Sequence, residues 1–214
     1  MLVILFIMSN MLKQKWIFKV FLSVSVFLLA GCASFHEVPP PDNTAAPWGN
    51  RVDVLSNIQS WDINGLIAIR NNTKPQAESA NLHWQQSRQD YQILLFGPLG
   101  ASPVKLSGKP GAVVLEDAKG KRFYADSAES MLVQQTGWHL PVSNLYFWVR
   151  GLPVPNKPAQ KKFDAYQHLT QLVQDGWTIQ YLNYTSVHHI DLPAKIFLNN
   201  SELQLKIVIN RWQI

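Results

Sequence analysis

Leu82-His83-Trp84-Gln85-Gln86-Ser87-Arg88-Gln89-Asp90-Tyr91-Gln92-Ile93-Leu94-Leu95-Phe96 is the stretch on which the fold turns. Leu82 and Trp84 alternate with His83 and Gln85. After a polar turn, Tyr91, Ile93 and Leu95 alternate with Gln92, Leu94 and Phe96. A period of two on either side of a short polar turn reads as a β-hairpin. Upstream the same period runs through Ile63, Gly65, Ile67 and Ile69. Downstream, strand-like runs fall at residues 104–107, 112–116, 122–125, near Phe163, and at 168–174, 177–184, 194–198 and 203–211. Lys109-Pro110-Gly111, Lys119-Gly120, Asp175-Gly176 and Asn199-Asn200 separate several of them as turn signals. About eleven short strands joined by tight turns form an antiparallel meander, which curls into a full or incomplete barrel.

Helical spacing interrupts the meander. Val52, Leu55 and Ile58 predict a short amphipathic helix within residues 48–61. Asp126 with Glu129 three residues on predicts a helix start, and Gly137 its end. A second helix is expected from near Pro141 to Gly151, with Val142, Leu145, Tyr146 and Val149 on one face. These two helices are placed to cover the open end of a barrel, although the sequence alone favours ordinary core packing as the reason for their apolar faces. Several strands are apolar on both faces: Leu66 and Ala68 oppose Ile67 and Ile69, and Leu94 and Phe96 oppose Ile93 and Leu95. A sheet covered on one side alone does not need this, so the second face either packs against helices or lines a cavity.

The chain's 214 residues are 47% hydrophobic and 15% charged, enough for one domain with a sizeable core. Its net charge of +5 is misleading. Lys13, Lys15 and Lys19 lie in the first 31 residues, which hold no acid; the rest carries 16 cationic side chains against 14 carboxylates. Nucleic-acid binding thereby loses its electrostatic argument. The opening segment has a basic stretch from Met11, an apolar run from Val20 to Ala30, and then Gly31-Cys32. That is the pattern of a secretory signal, and Leu29-Ala30-Gly31-Cys32 resembles a bacterial lipobox. Three segments follow: a cleaved signal at 1–31, whose true start is expected at Met11; a Pro-rich lipidated tether at 32–47; and a domain at 48–214. Cys32 is the expected site of S-diacylglycerol and N-acyl modification, and no other cofactor is expected. Ala33 after it, in place of Asp, points to the outer membrane in the lipoproteins this motif resembles.

Enzyme chemistry finds little support. The single cysteine is spoken for, and no disulfide, zinc cluster or thiol nucleophile remains. The six histidines form no His-Glu-x-x-His, and the adjacent His188-His189 would point to opposite faces of a strand. There is no Gly-x-Ser-x-Gly elbow and no Walker-type Gly-x-x-x-x-Gly-Lys, so neither a hydrolase nor an ATP-driven device is expected. A structural envelope lipoprotein with a filled core stays open as a second reading.

Gly97-Pro98-Leu99-Gly100, Thr136-Gly137-Trp138-His139-Leu140-Pro141-Val142, Leu145-Tyr146-Phe147-Trp148-Val149-Arg150-Gly151-Leu152-Pro153, Trp84-Gln85-Gln86 and Asn210-Arg211-Trp212 together resemble the LolB family of outer-membrane lipoprotein receptors. The resemblance implies an incomplete antiparallel barrel with a helical lid enclosing a hydrophobic cavity. It implies a monomer that takes lipoproteins from the periplasmic carrier LolA and inserts them into the inner leaflet of the outer membrane without ATP. Its partners would be the LolA–lipoprotein complex, acyl chains and outer-membrane phospholipid. For the acyl-chain cavity the two-faced strands and the lid offer Leu66, Trp84, Leu94, Phe96, Met131, Leu145 and Trp148. Pro98, Leu99 and Gly100 suit a type I turn with Leu99 at the third place. The family ties this leucine to membrane insertion.

Overall fold

The computed structural model describes residues 39–73 and 77–214; the signal segment, Cys32 and residues up to 38 lie outside them. The order is α1 (Trp48–Asn57), β1 (Ser60–Asn71), β2 (Ala77–Ser87), β3 (Asp90–Phe96), β4 (Val104–Lys109), β5 (Ala112–Glu116), β6 (Arg122–Ala125), α2 (Ala128–Thr136), α3 (Val142–Trp148), β7 (Gln160–Phe163), β8 (Leu169–Gln174), β9 (Trp177–Val187), β10 (Ile190–Asn199) and β11 (Leu203–Gln213). All eleven strands join one antiparallel sheet in the order β6-β5-β4-β3-β2-β1-β11-β10-β9-β8-β7. Each meander is built from neighbours in sequence. The single long-range junction is β1 with β11, where Ile67 faces Ile207 and Ile69 faces Leu205. The sheet is open between β6 and β7, and the chain spans that gap through α2 and α3. Both edge strands are four residues long, which limits the unpaired backbone they present.

Alternation places one side chain of each pair on the helix-covered face. Ile63, Leu82, Trp84, Ile196, Ile207 and Ile209 are buried there with Leu55 of α1 and Trp148 of α3. Trp61 anchors this core, its ring edge-on to Trp84 at 4.8 Å and to Trp212 at 5.6 Å. A second cluster joins Leu106, Val113 and Leu115 of β4–β5 to Ala128 and Met131 of α2 and Val142 of α3. The β1–β11 pairing shifts register at Asn64/Gly65. A Cβ at Gly65 would fall 1.9 Å from the Val208 carbonyl oxygen, so the bulge requires glycine.

Three local expectations are corrected. The cap of α2 is Ser127, which accepts from the Ser130 N–H, rather than Asp126; its extended backbone presents the hydroxyl to the first turn. His188 and His189 form the β9–β10 turn instead of facing opposite sides of a strand. Both have positive φ, 50° and 63°, as a two-residue hairpin of primed type demands. Leu99 is likewise left-handed, at φ 55° and ψ 26°, so the loop is not the expected type I turn. Its backbone instead closes on itself, with the Gly97 N–H donating to the Ala101 carbonyl at 2.7 Å.

Residues 39–47, the end of the stretch read as a tether, are fastened to the sheet. Asp191 accepts from the Asp42 and Asn43 N–H groups at 2.9 and 3.2 Å, and the Thr185 hydroxyl donates to the Pro39 carbonyl. His168 lies beneath, with Nε2 2.9 Å from Asp191 and Nδ1 3.0 Å from Asp164.

Candidate functional site

A cavity of about 1160 Å³ opens at one end of the strands. Its walls come from the β2–β3 turn, the β4–β5 turn and the first turns of α2 and α3. Trp84, Tyr91, Val113, Tyr146 and Phe147 supply apolar surface, while Arg88, Asp90, Lys109, Asp126 and Glu129 bring charge. The lining is therefore amphipathic rather than purely hydrophobic.

Each wall is held by a specific contact. The Trp84 indole donates to Gln86 Oε1 at 3.0 Å, and Gln86 Nε2 donates to the Arg88 carbonyl at 2.8 Å, fixing the hairpin turn. Tyr91 lies across Gly108 of β4, its partner in register. Burial, and after it the charge of Glu129, pushes the Tyr91 phenol up to about 12. Glu129 Oε1 accepts from the Ser143 N–H at 2.7 Å, so the carboxylate expected to cap its own helix caps the start of α3. The buried Arg150 secures the far end of α3. It donates to the carbonyls of Leu55, Ile58 and Tyr146, and its guanidinium lies 4.1 Å from the Tyr146 ring centre. Burial draws its pKa below the usual arginine range.

Of the seven residues proposed for the cavity, Trp84 lines it. Met131, Leu145 and Trp148 are buried in the packed core beneath. Leu66, Leu94 and Phe96 stand on the opposite face, because Leu66 shares a transverse row with Asn81 and Phe96 while Ile67, Ile93 and Leu95 point to the helices. Among the described residues neither cover expected for the second apolar face is present: Leu66 is 47% exposed. Tyr91, Val113 and Phe147 line the cavity without having been singled out. For Tyr91 the signal was its shared parity with Ile93 and Leu95.

Leu99 is fully exposed, at 108% of its reference area, on the β3–β4 loop. It projects from the other end of β3, whose first residues, Asp90 and Tyr91, line the cavity. At roughly 3.3 Å per residue, the seven-residue strand separates the two features by more than 20 Å.

The family model for outer membrane lipoprotein LolB matches residues 59–212. The chain belongs to the LolB family. It is 39% identical to the outer-membrane lipoprotein LolB of Chromohalobacter salexigens over 191 residues, 89% of this chain and 88% of that protein. It is 40% identical to LolB of Pseudomonas putida strain GB-1 over 88% of this chain and 92% of the relative. With LolB of Nitrosococcus oceani it shares 37% over 202 residues, the relative's whole length. A crystal structure of a LolA superfamily protein from Nitrosomonas europaea has the same fold at a TM-score of 0.50 and 8% identity, covering 79% of this chain and 94% of that one. Fold similarity thus extends to that LolA superfamily protein, at an identity that speaks for the fold alone.

Proposed function

We propose that this chain is an outer-membrane lipoprotein that receives lipoproteins from LolA and inserts them into the inner leaflet of the outer membrane. It acts as a monomer, anchored by lipid on Cys32, facing the periplasm and without catalytic chemistry. Membership of the LolB family supports this reading, and the observation that carries it is the pairing of a large cavity with a fully exposed leucine on the β3–β4 loop. Each methylene withdrawn from water is worth roughly 0.8 kcal/mol, so exposing the acyl chains of a cargo would cost tens of kcal/mol. A sheltered amphipathic wall lowers that cost without an energy source. A structural lipoprotein has no use for a cavity of this volume.

Leu99 supplies the membrane step. Burying it in lipid gains roughly 1.5–3 kcal/mol, enough to orient a loop tip and too little to anchor a protein. The test is to load Leu99→Glu protein with lipoprotein from LolA and mix it with liposomes. Acceptance at the wild-type level with insertion lost is expected. Insertion as fast as wild type would overturn the assignment of Leu99, and failure of the wild-type chain to accept cargo would overturn the function.

A further inference from the structure

The face of the sheet turned away from the helices is apolar at its centre and cationic at its margin. Leu66 on β1 has Val208 of β11 on one side and Asn81 of β2 on the other, with Phe96 of β3 next in the same row. Leu94 of β3 follows one row along, opposite His83. Lysines border these rows directly: Lys105 opposite Leu94, Lys195 opposite Val208, and Lys206 opposite Ala68. Among the described residues none of the three lysines has an ion-pair partner, whereas the nearest carboxylates in register are already engaged. Asp62 is 2.7 Å from His83, and Glu116 is 2.9 Å from Arg122. The surplus charge on this face is therefore positive.

We propose that this face lies flat on a bilayer bearing anionic phospholipid, the leucines and Phe96 meeting the acyl boundary and the lysines the phosphates. The proposal rests on the membrane role given to Leu99 above and extends it from a tip to a surface. Two observations commit the face to lipid. Its chemistry is that of an interfacial segment, apolar side chains flanked by unpaired lysines within reach of phosphate. It is also continuous with the Leu99 loop, which begins one residue after Phe96. In this attitude the helix-covered face and the cavity point away from the bilayer, open to a soluble carrier.

The experiment uses the full chain in vesicles, labelled with an environment-sensitive fluorophore at Ser79→Cys on the proposed face, Leu99→Cys at the tip, or Asp53→Cys on α1. The parent chain, whose sole cysteine is Cys32, supplies the blank. In phosphatidylethanolamine–phosphatidylglycerol vesicles the labels at 79 and 99 become shielded from an aqueous quencher, and the label at 53 stays accessible. In phosphatidylcholine vesicles the shielding at 79 weakens. Combining Lys105→Glu, Lys195→Glu and Lys206→Glu lowers the ratio of shielded to accessible label at 79 on the order of a hundredfold, with shielding at 99 retained. A shielded label at 99 with an accessible label at 79 in the parental background overturns this proposal and leaves the function above intact. Accessible labels at both positions overturn this proposal and the membrane role of Leu99 together. Shielding at 79 without vesicles would mean that a second copy covers the face, which also overturns it.

Discussion

Tyr91 and Gly108 are matched across β3 and β4 so closely that a Cβ on Gly108 would fall 2.1 Å from the Tyr91 ring. The missing side chain is the seat of the phenol. Gly108→Ala is expected to swing the ring from the cavity wall and to destabilise the domain by about 1–3 kcal/mol through overpacking. Urea unfolding measures the cost, and displacement of a fluorescent fatty acid measures the altered cavity. Equal affinity for the probe in the variant would show that Tyr91 does not shape the site.

The same phenol predicts a response to alkali. Its folded-state pKa, about 12, lies above the ordinary tyrosine value of 10.0. The neutral form is favoured by folding, so the stability it contributes is whole below the unfolded value and is lost as pH rises from there through the folded one. Tyr91→Phe should therefore lose less stability than the parent between these two values. Parallel curves for the two proteins would refute the assignment.

Among the described residues Arg150 ties α1 to α3 through carbonyls alone, with no carboxylate to match its charge. Arg150→Met leaves the Leu55 and Ile58 carbonyls without this donor, and Arg150→Lys has one nitrogen to replace both the Nη1 that reaches those two carbonyls and the Nε that donates to Tyr146. Each should cost about 3 kcal/mol or more, the methionine variant through stranded acceptors. Chemical denaturation provides the measurement, and a loss below about 1 kcal/mol in either variant would sink the argument.

Asp164, hydrogen-bonded to His168 beneath residues 39–44, should make the stability of the domain sensitive to acid. Burial alone would raise the Asp164 carboxyl, but hydrogen bonds from the His168 and Tyr166 backbone and the His168 ring hold it below the usual range. Its stabilising contribution is complete above the ordinary value of about 4 and disappears as pH falls through the lowered folded value. Asp164→Asn should flatten the acid limb of a melting-temperature profile. Asp191→Asn breaks a buried pair and two backbone contacts, with a cost of about 3–5 kcal/mol. Faster amide exchange at Asp42 and Asn43 in that variant would report the release, and unchanged exchange there would contradict it.

Leu99 carries a local cost in a place where it touches little. A left-handed leucine is about 1–2 kcal/mol worse than glycine, partly offset by the greater freedom of unfolded glycine. Leu99→Gly should raise stability by about 0.5–1 kcal/mol while slowing insertion into liposomes. A variant that is less stable than the parent would mean that the side chain packs on the folded protein.

The strands were legible because their signals are local. Alternation from Ile63 to Phe96 and the Gly-containing turns can be read without knowing what packs where. The face each strand presents was not local. Leu66 and Ile67, or Leu94 and Ile93, are equally apolar, and only the packing of α1 and of α3, the latter far away in the chain, decides which one is buried. The cavity suffered for this reason, since three of its expected residues had the wrong parity. Ser127 beside Asp126 and the glycine-free turn at His188 and His189 show a smaller version of the problem. Neighbouring residues of similar propensity are separated only by backbone geometry.

The pairing of β1 with β11 sets a timetable for assembly. The first long strand to emerge finds one neighbour at once in β2, but its other neighbour is the last to be made. Bridging that separation is slow compared with closing a hairpin. Until residues 203–213 are available, the N-terminal meander keeps an unpaired edge along β1, and Ile67 and Ile69 lack their partners Ile207 and Leu205. A chain so arranged stays incomplete for as long as its end is withheld, and its closure waits on its final strand.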